Sequence, residues 1–530
     1  MYLVMNNRRA KSPCSISNAG PRRGSTRLAT AIIRSALTLA AIAVLVLMAV
    51  RPAQAQPETV LYSFCSQPNC SDGAYPQSSL IFDAAGNLYG TTNSGGLWGY
   101  GTVFELSPNG NGGWNETVLY SFTGGADGAN PTYSSVMFDS VGNLYGTGYG
   151  GGANGYGVVF ELSPAGASWT ETVLYSFANT PDGANPVNGL IMDPAGNLYG
   201  KTFNGGQGNG VVFQLSPSGF GADWTEQVIY VPETQASNAG LTMDAAGNIF
   251  GTTYSTVFEM SPNGDGGWNP NVIHTFCSGK DGCDAEGTLA LDQAGNLYGT
   301  TVNGGLTWGT VYKLSPGEHG WTEKLIHEFF ANGGGVWPFA GIALDTAGNI
   351  YGTAVGQWPG GGFIYELTPI VGTSKYTPHE LWKFNGWDGS CYFGNVLLAS
   401  GGVLYGTTPN GGSTFWHPPH FPGYGVVFEL KVATKTTLTS SPNPSTYGEA
   451  VTFTATVTSK LGPPPDGETV SFMKGKTVLG TGTLSGGSAT FITSALKVGT
   501  TSVKAVYGGD STLAGSKSNA VRQVVENAGK

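Results

Sequence analysis

Acidic side chains recur at fixed places in this chain. Asp83, Asp139, Asp193, Asp244, Asp292 and Asp345 each open the same string, Asp-x-x-Gly-Asn. A set of carboxylates at one structural level would hold cations or divide acid and base work. One carboxylate per repeat, placed where the backbone must reverse, has a plainer use. Asp accepts hydrogen bonds from the backbone just ahead of it and so fixes a turn. Glu105, Glu161, Glu259, Glu366 and Glu429 recur in strand-like runs, where alternation puts them opposite Phe104 and its equivalents. Trp114, Trp169, Trp224, Trp268 and Trp321 recur ahead of the following run and read as packing residues.

Chemistry is therefore sought where the repeats differ. Four acids stand off the repeat: Asp281, Asp284 and Glu286 in one loop, and Asp388 at a comparable place further on. Glycoside cleavage needs two carboxyl groups about 5–9 Å apart, so the convergence of these four decides whether an enzyme is in prospect. His417-Pro418-Pro419-His420 is the one close histidine pair. The prolines hold it extended and no acid or cysteine adjoins it, so no metal site is expected. The glycine strings at 150–152 and 360–362 lack the strand-turn-helix context and lysine of a phosphate loop, and there is no Gly-x-Ser-x-Gly elbow. No cofactor is expected. Aromatic residues interrupt the Gly-rich loops instead: Trp98, Tyr100, Tyr156, Trp308, Trp358 and Trp416. Flat rings on such loops suit stacking on a flat polar ligand such as a sugar. The same rings would equally serve to cover the backbone of their own loops.

The elements that must position these residues follow from the repeat. Its marker aromatics are Tyr89, Tyr145, Tyr199, Phe250, Tyr298, Tyr351 and Tyr405, at steps of 56, 54, 51, 48, 53 and 54 residues. The last copy, Ala399–Thr408, has lost its Asp and Asn. A period near fifty with seven copies signals a repeat architecture. Each copy resolves into four short runs rich in β-branched and aromatic residues, bounded by Gly, Asn, Asp and Pro, which is the strand signature. No helical period appears after the leader. The spacing predicts an all-β, seven-bladed β-propeller with four strands per blade. The repeats begin with a lone fourth-type strand, Val60–Phe64, and end on a third-type strand, Val426–Leu430. The N-terminal strand is therefore expected to complete the seventh blade and close the ring.

The string Asp-x-x-Gly-Asn-Leu-Tyr-Gly-Thr-Thr, followed by Gly-Thr-Val-Phe-Glu-Leu-Ser-Pro, Glu-Thr-Val-Leu-Tyr-Ser-Phe and Asp-Gly-Ala-Asn-Pro, resembles the GloVer (choice-of-anchor) tandem repeat of bacterial surface proteins, over roughly 58–430. Its hairpin is also similar to the NHL type of propeller repeat. The resemblance implies an exported, often surface-attached protein and assigns no catalytic residue. After Lys431 the composition changes to Thr, Ser and Lys, with alternating strands such as Ala450–Thr458 and Thr501–Val506. That segment resembles a bacterial Ig-like β-sandwich, most clearly at Ser441-Pro442-Asn443-Pro444 and Ala505-Val506-Tyr507-Gly508-Gly509-Asp510.

Bulk properties set the compartment. A basic stretch from Arg8 to Arg34, the apolar run Ser35–Val50 and Ala53-Gln54-Ala55 read as a cleaved signal peptide. Sixteen apolar residues fall short of the about 20 that span a bilayer. An uncleaved leader is thus the only membrane contact in prospect. The expected organisation is a signal peptide over 1–55, the propeller over 56–431 and the Ig-like domain over 432–530. Cys65 with Cys70, and Cys277 with Cys283, start directly after a repeat phenylalanine and read as two disulfides of an oxidising compartment. Cys391 is left over, as a buried inert thiol. A net charge of −10, without a basic cluster past the leader, argues against nucleic acid. Three functions stay open for this exported or cell-surface chain, which is expected to be a monomer. They are non-catalytic binding of a glycan or another surface protein, cleavage of a polysaccharide, and a purely structural role.

Overall fold

The computed structural model describes residues 58–166, 168–218, 224–279, 281–304, 308–330, 337–355, 361–386, 388–390, 394–412 and 423–527. The leader, Trp358, Cys391, Trp416, His417 and His420 lie outside the described residues. Strands dominate, and no α-helix occurs among the described residues.

The first repeat shows how sequence becomes sheet. Ile81–Phe82, Leu88–Ser94, Thr102–Pro108 and Trp114–Ser121 form an antiparallel sheet in chain order, and Ala74–Pro76 adds to Leu88–Ser94. The first two strands are joined by the aspartate turn. Oδ1 of Asp83 accepts the backbone N–H groups of Ala85 (2.9 Å) and Asn87 (2.8 Å), and Oδ2 accepts Asn87 Nδ2 (2.7 Å) and the Tyr89 hydroxyl (3.1 Å). Asp139, Asp193, Asp292 and Asp345 repeat these bonds, so the aspartates are turn residues. Five more sheets follow the same strand order, with outer strands Ser168–Ser176, Trp224–Tyr230, Trp268–Thr275, Gly320–Glu328 and Tyr376–Lys383. In the last sheet, Leu397–Leu398, Leu404–Thr408 and Val426–Leu430 take Glu58–Ser63 as their fourth strand, with Glu58 opposite Leu430 and Ser63 opposite Val426.

The apolar cores lie between sheets. Phe64, Leu80, Phe104, Val403 and Val427 are buried in one cluster that joins the last sheet to the first. Tyr89, Phe122, Leu144 and Phe160 do the same between the first and second. Each junction carries an edge-on or tilted aromatic pair, for example Phe64–Phe104 (5.0 Å), Phe122–Phe160 (5.2 Å), Phe177–Phe213 (5.1 Å) and Phe384–Phe428 (5.3 Å). The second ring of each pair lies over the glycine of the Tyr-Gly-Thr string, its cross-strand partner: Gly90 under Phe104 and Gly146 under Phe160. The recurring tryptophans seal the same junctions at the turn end, as in Tyr199–Trp268 (5.6 Å) and Phe250–Trp321 (5.8 Å).

Residues 432–527 form two sheets around their own core of Val451, Phe453, Val470, Phe472, Val503 and Tyr507. One sheet holds Thr434–Ser441, Val451–Ser459 and Ser488–Thr493; the other is built on Gly499–Gly509, flanked by Thr469–Lys474 and Val521–Glu526. This unit is docked on the repeats. Lys431 Nζ donates to the Asp510 carbonyl (2.7 Å), and Lys460 Nζ meets Glu366 Oε1 (2.7 Å) while lying 5.2 Å above the Tyr351 ring.

A Cβ placed on Gly146 would come 2.6 Å from Phe160 Cζ, a contact that the packed ring cannot yield. Gly146→Ala should therefore destabilise by about 1–3 kcal/mol, whereas Gly508→Ala, with open space at its Cβ, should stay within about 0.5 kcal/mol. Urea unfolding of the two variants checks the difference.

Candidate functional site

The loops between second and third strands meet the loops that lead into the next sheet. Among the described residues, a backbone bond latches six such pairs. The Asn130 N–H donates to the Tyr100 carbonyl (2.7 Å), Asn185 to Tyr156 (2.7 Å), Ala236 to Asn209 (2.9 Å), Ala285 to Tyr254 (3.1 Å), Trp337 to Trp308 (2.9 Å) and Tyr75 to Tyr424 (2.7 Å). Tyr75, Asn130, Asn185 and Trp337 hold a left-handed backbone to make this bond, at φ of 58°, 48°, 57° and 55°. The residue after the acceptor is a glycine at five of these six latches. A Cβ on Gly101 would lie 2.7 Å from Pro131 Cδ, and one on Gly309 equally close to Pro338. Tyr100, Tyr156 and Trp308 thus belong to one repeated latch, and their side chains ride on it.

These side chains stay in reach of solvent. Trp98 is 62% exposed, Tyr100 45%, Trp308 40% and Tyr156 39%. Tyr100 partly covers its own strand exit, since a Cβ on Gly124 would meet its ring at 2.6 Å. Trp308 leans edge-on against Trp337 at 5.7 Å. Trp98 projects furthest. Tyr75 and Tyr424 form a further pair at 5.5 Å, which the sequence analysis did not single out although Tyr424-Gly425 repeats the aromatic-Gly spelling of the other latches.

Deeper in, the sheets are joined by polar contacts. The Ser79 N–H donates to Ser135 Oγ (3.2 Å), Gly240 to Thr288 Oγ1 (2.8 Å), Gly341 to Asn395 Oδ1 (2.6 Å), and Asn395 to Ser79 Oγ (3.0 Å), the last returning from the final sheet to the first. The first threonine of Tyr-Gly-Thr-Thr reaches the next sheet as well: Thr91 Oγ1 donates to the Ser134 carbonyl (2.8 Å) and Thr407 Oγ1 to Ser78 (2.8 Å). Lys201 occupies that place in the third repeat. It is fully buried, donates to the Thr252 carbonyl (2.8 Å) and Ser237 Oγ (3.2 Å), and burial lowers its pKa to about 7.

The four off-repeat acids divide into two groups. Glu286 accepts from Asn238 Nδ2 (3.3 Å) among Tyr133, Tyr254 and Asp284. Burial, then Asp284, pushes its carboxyl up. Burial and Glu286 push the Tyr133 and Tyr254 hydroxyls up to about 12. Asp284 is held by Asn303 Nδ2 (2.6 Å). Asp281 and Asp388 do not join them. Asp281 accepts from Ser278 Oγ (3.0 Å) with His274 at 3.8 Å, and Asp388 accepts the Asn385 N–H (2.8 Å). Both fill a position that elsewhere accepts a tyrosine hydroxyl, as Tyr62 gives Asp72 (2.8 Å) and Tyr175 gives Asp182 (2.8 Å).

That position faces a glutamate of the next sheet, a relation the sequence did not disclose. Asp72 faces Glu116, Asp127 Glu171, Asp182 Glu226, Asp281 Glu323 and Asp388 Glu58. Oε1 of each glutamate is buried and accepts no hydrogen bond. Burial first, and the facing aspartate second, raises Glu58 and Glu116 to about 8 and Glu171 and Glu226 to about 7. Cys65–Cys70 and Cys277–Cys283 are disulfides; the second closes a loop around Asp281, and the first ends two residues before Asp72. Among the described residues, no three His, Cys, Asp or Glu side chains gather to hold a metal ion.

The sign of the pH effect follows. A carboxyl with a raised folded pKa stabilises fully below its unfolded value, and that stability is lost as pH climbs through the folded value. The turn aspartates act in the opposite sense. Burial works against the ionised Asp83, Asp139, Asp193 and Asp292, but hydrogen bonds from their own turns outweigh it and hold them below the usual range. Their contribution disappears as pH falls. Thermal melts should therefore peak near pH 5, with a fall in Tm of roughly 5 °C by pH 9. Glu116→Gln with Glu171→Gln should flatten the alkaline limb.

The family described as Gloeobacter/Verrucomicrobia repeat matches residues 50–256 and 236–492. No curated protein matches the chain. Among solved structures, the extracellular domain of a putative one component system from B. thetaiotaomicron is 12% identical with a TM-score of 0.45, over 87% of this chain and 58% of that one. A gluconolactonase from Xanthomonas campestris is 13% identical at 0.35, over 73% of this chain and 92% of that one. The PQQ-bound aldose sugar dehydrogenase of Streptomyces coelicolor is 14% identical at 0.37, over 71% and 99%. This chain spans under two thirds of the first of these, and none of the three likenesses carries a functional argument.

Proposed function

Because this chain belongs to the Gloeobacter/Verrucomicrobia repeat family, we propose that it is an exported, non-catalytic surface protein that binds a glycan through its aromatic loops. The leader over 1–55, the two disulfides and the family support export and display. The sheets of residues 56–431 are read as a seven-bladed β-propeller closed by Glu58–Ser63, and residues 432–530 as an Ig-like sandwich. The Ig-like unit docks beside the Asp345 turn, through Glu366 and Tyr351. That leaves the latch loops open to a partner.

One observation carries the reading. Trp98 keeps 62% of its surface in solvent, and Tyr100, Tyr156 and Trp308 on the equivalent loops are also exposed. Rings presented on rigid, latched backbone stack on a sugar at low ordering cost. The full-length chain should give hits on a glycan array. Trp98→Ala with Trp308→Ala should weaken binding of the best hit at least tenfold with Tm unchanged. An empty array, or undiminished binding by the double variant, discards the glycan ligand and leaves a surface protein as the partner.

A second reading rests on Glu286. A carboxyl raised by burial beside Asp284, Tyr133 and Tyr254 has the makings of a general acid for polysaccharide cleavage. It predicts release of sugar ends from a polysaccharide panel, abolished in Glu286→Gln. No release from any polymer ends this reading and leaves the binding function standing.

A further inference from the structure

The C-terminal unit carries an open groove of about 830 Å³ on the outer face of the sheet built on Gly499–Gly509. Strand register fixes its floor. Val478 pairs with Met473 and Met473 with Lys504, so these three form one row on one face. In the next row Ser471 pairs with Val506 and Val506 with Lys517. Each row thus runs from small or apolar side chains to a lysine at its end. Lys504 and Lys517 are diagonal neighbours, about 7–8 Å apart at the backbone end. Lys476, in the turn between Thr469–Lys474 and Thr477–Thr483, adds a third cation at the rim.

No acid lines this groove, and among the described residues none of its three lysines forms an ion pair. Lys431 and Lys460, by contrast, are both paired to glutamates of the repeats. Charge along the chain is divided in the same sense. Residues 56–431 hold 29 Asp and Glu against seven Lys and Arg, whereas residues 432–530 hold nine Lys and Arg against five acids. The acidic repeats repel a polyanion, and this uncompensated cationic surface with an apolar floor lies outside them. Clustered like charges without counter-charges are unfavourable until an anion arrives.

We infer that this groove binds an acidic polysaccharide, with the C–H faces of its rings on Met473, Val478 and Val506 and its carboxylates against Lys476, Lys504 and Lys517. A neutral chain would gain only the apolar floor, and a small free anion only the lysines. A uronate-bearing chain uses both. This site is separate from the aromatic loops and does not depend on them.

The test is binding of polygalacturonate by the full-length chain, measured by biolayer interferometry beside dextran and duplex DNA. Polygalacturonate should bind and dextran should not, and binding should fall steeply between 50 and 500 mM NaCl as the charges are screened. Lys476→Gln with Lys504→Gln and Lys517→Gln should weaken it at least tenfold at unchanged Tm, since all three side chains are exposed. Lys435→Gln, on the other sheet, should change it less than twofold. Trp98→Ala should leave it unchanged, which separates failure here from failure of the loop site. The inference is overturned by absent polygalacturonate binding, by equal binding of the triple variant, or by tighter binding to DNA. It is also overturned if sedimentation shows a dimer that the triple variant dissolves, because a second copy's acidic repeats would then be the occupant.

Discussion

Each sheet of the repeat region depends on a bare glycine lying under an aromatic ring. The glycine of Tyr-Gly-Thr leaves room on the second strand, the Phe or Tyr opposite it on the third strand fills that room, and an aromatic ring from the outer-strand end of the preceding sheet, phenylalanine except for Tyr230, meets that ring at a slant. One contact therefore spans two strands of one sheet and the last strand of another. No sheet completes its own core, because half of each buried cluster belongs to a neighbour. A single sheet of this kind cannot bury its apolar faces alone. Stacking sheets through shared aromatic pairs makes stability a property of the whole circuit, and the junction made by Glu58–Ser63 is built like the others.

That dependence explains what could be read from the sequence. The turn aspartates were legible because their bonds are local, within six residues of Asp83. The strands were legible from alternation, and the disulfides from paired cysteines at one repeat position. Contacts between sheets were not. Glu116 sits in Glu-Thr-Val-Leu-Tyr-Ser-Phe like any solvent-facing residue of an outer strand, yet it faces Asp72 of the preceding loop. Glu116 acquires its raised pKa only once the sheets are packed. Lys201 was hidden for a similar reason. A lysine for threonine in a strand reads as surface variation, and only the structure puts its ammonium against the Thr252 carbonyl of the next sheet.

The candidate site was half legible. Trp98, Tyr100, Tyr156 and Trp308 stand out as exceptions to the repeat, and the loops of Tyr100, Tyr156 and Trp308 are each bonded to the loop that leads into the next sheet. What the sequence concealed is that Tyr100, Tyr156 and Trp308 also lend their backbone carbonyls to the latches. Sequence alone weighed a binding face against self-covering loops as alternatives. In the structure the backbone does the latching and the side chain is left over, so the two are compatible. Of the four off-repeat acids, Asp281, Asp284 and Glu286 share one loop in the sequence and Asp388 stands at a comparable place in a later repeat. Asp281 and Asp388 are spelled like the acids of the neighbouring loops, Asp-Gly in every case, and that spelling marks them as part of the repeated junction.

The docking of the C-terminal unit follows from the repeat being used once for a second purpose. The third-strand glutamate is a recurring feature, and in most copies it faces its own hairpin. In the sixth, Glu366 is almost fully buried and takes both the Tyr351 hydroxyl (2.9 Å) and the Lys460 ammonium. A buried pair of this kind repays its desolvation poorly, so its contribution is to orientation more than to stability. Losing Lys460 would leave a buried carboxylate with the tyrosine alone, which disfavours any other placement of the unit. Lys431 acts in the same way at the chain crossing, through the Asp510 carbonyl. Two directional contacts, with the backbone bridge of Val432 to Leu513 between them, join the C-terminal unit to the repeats.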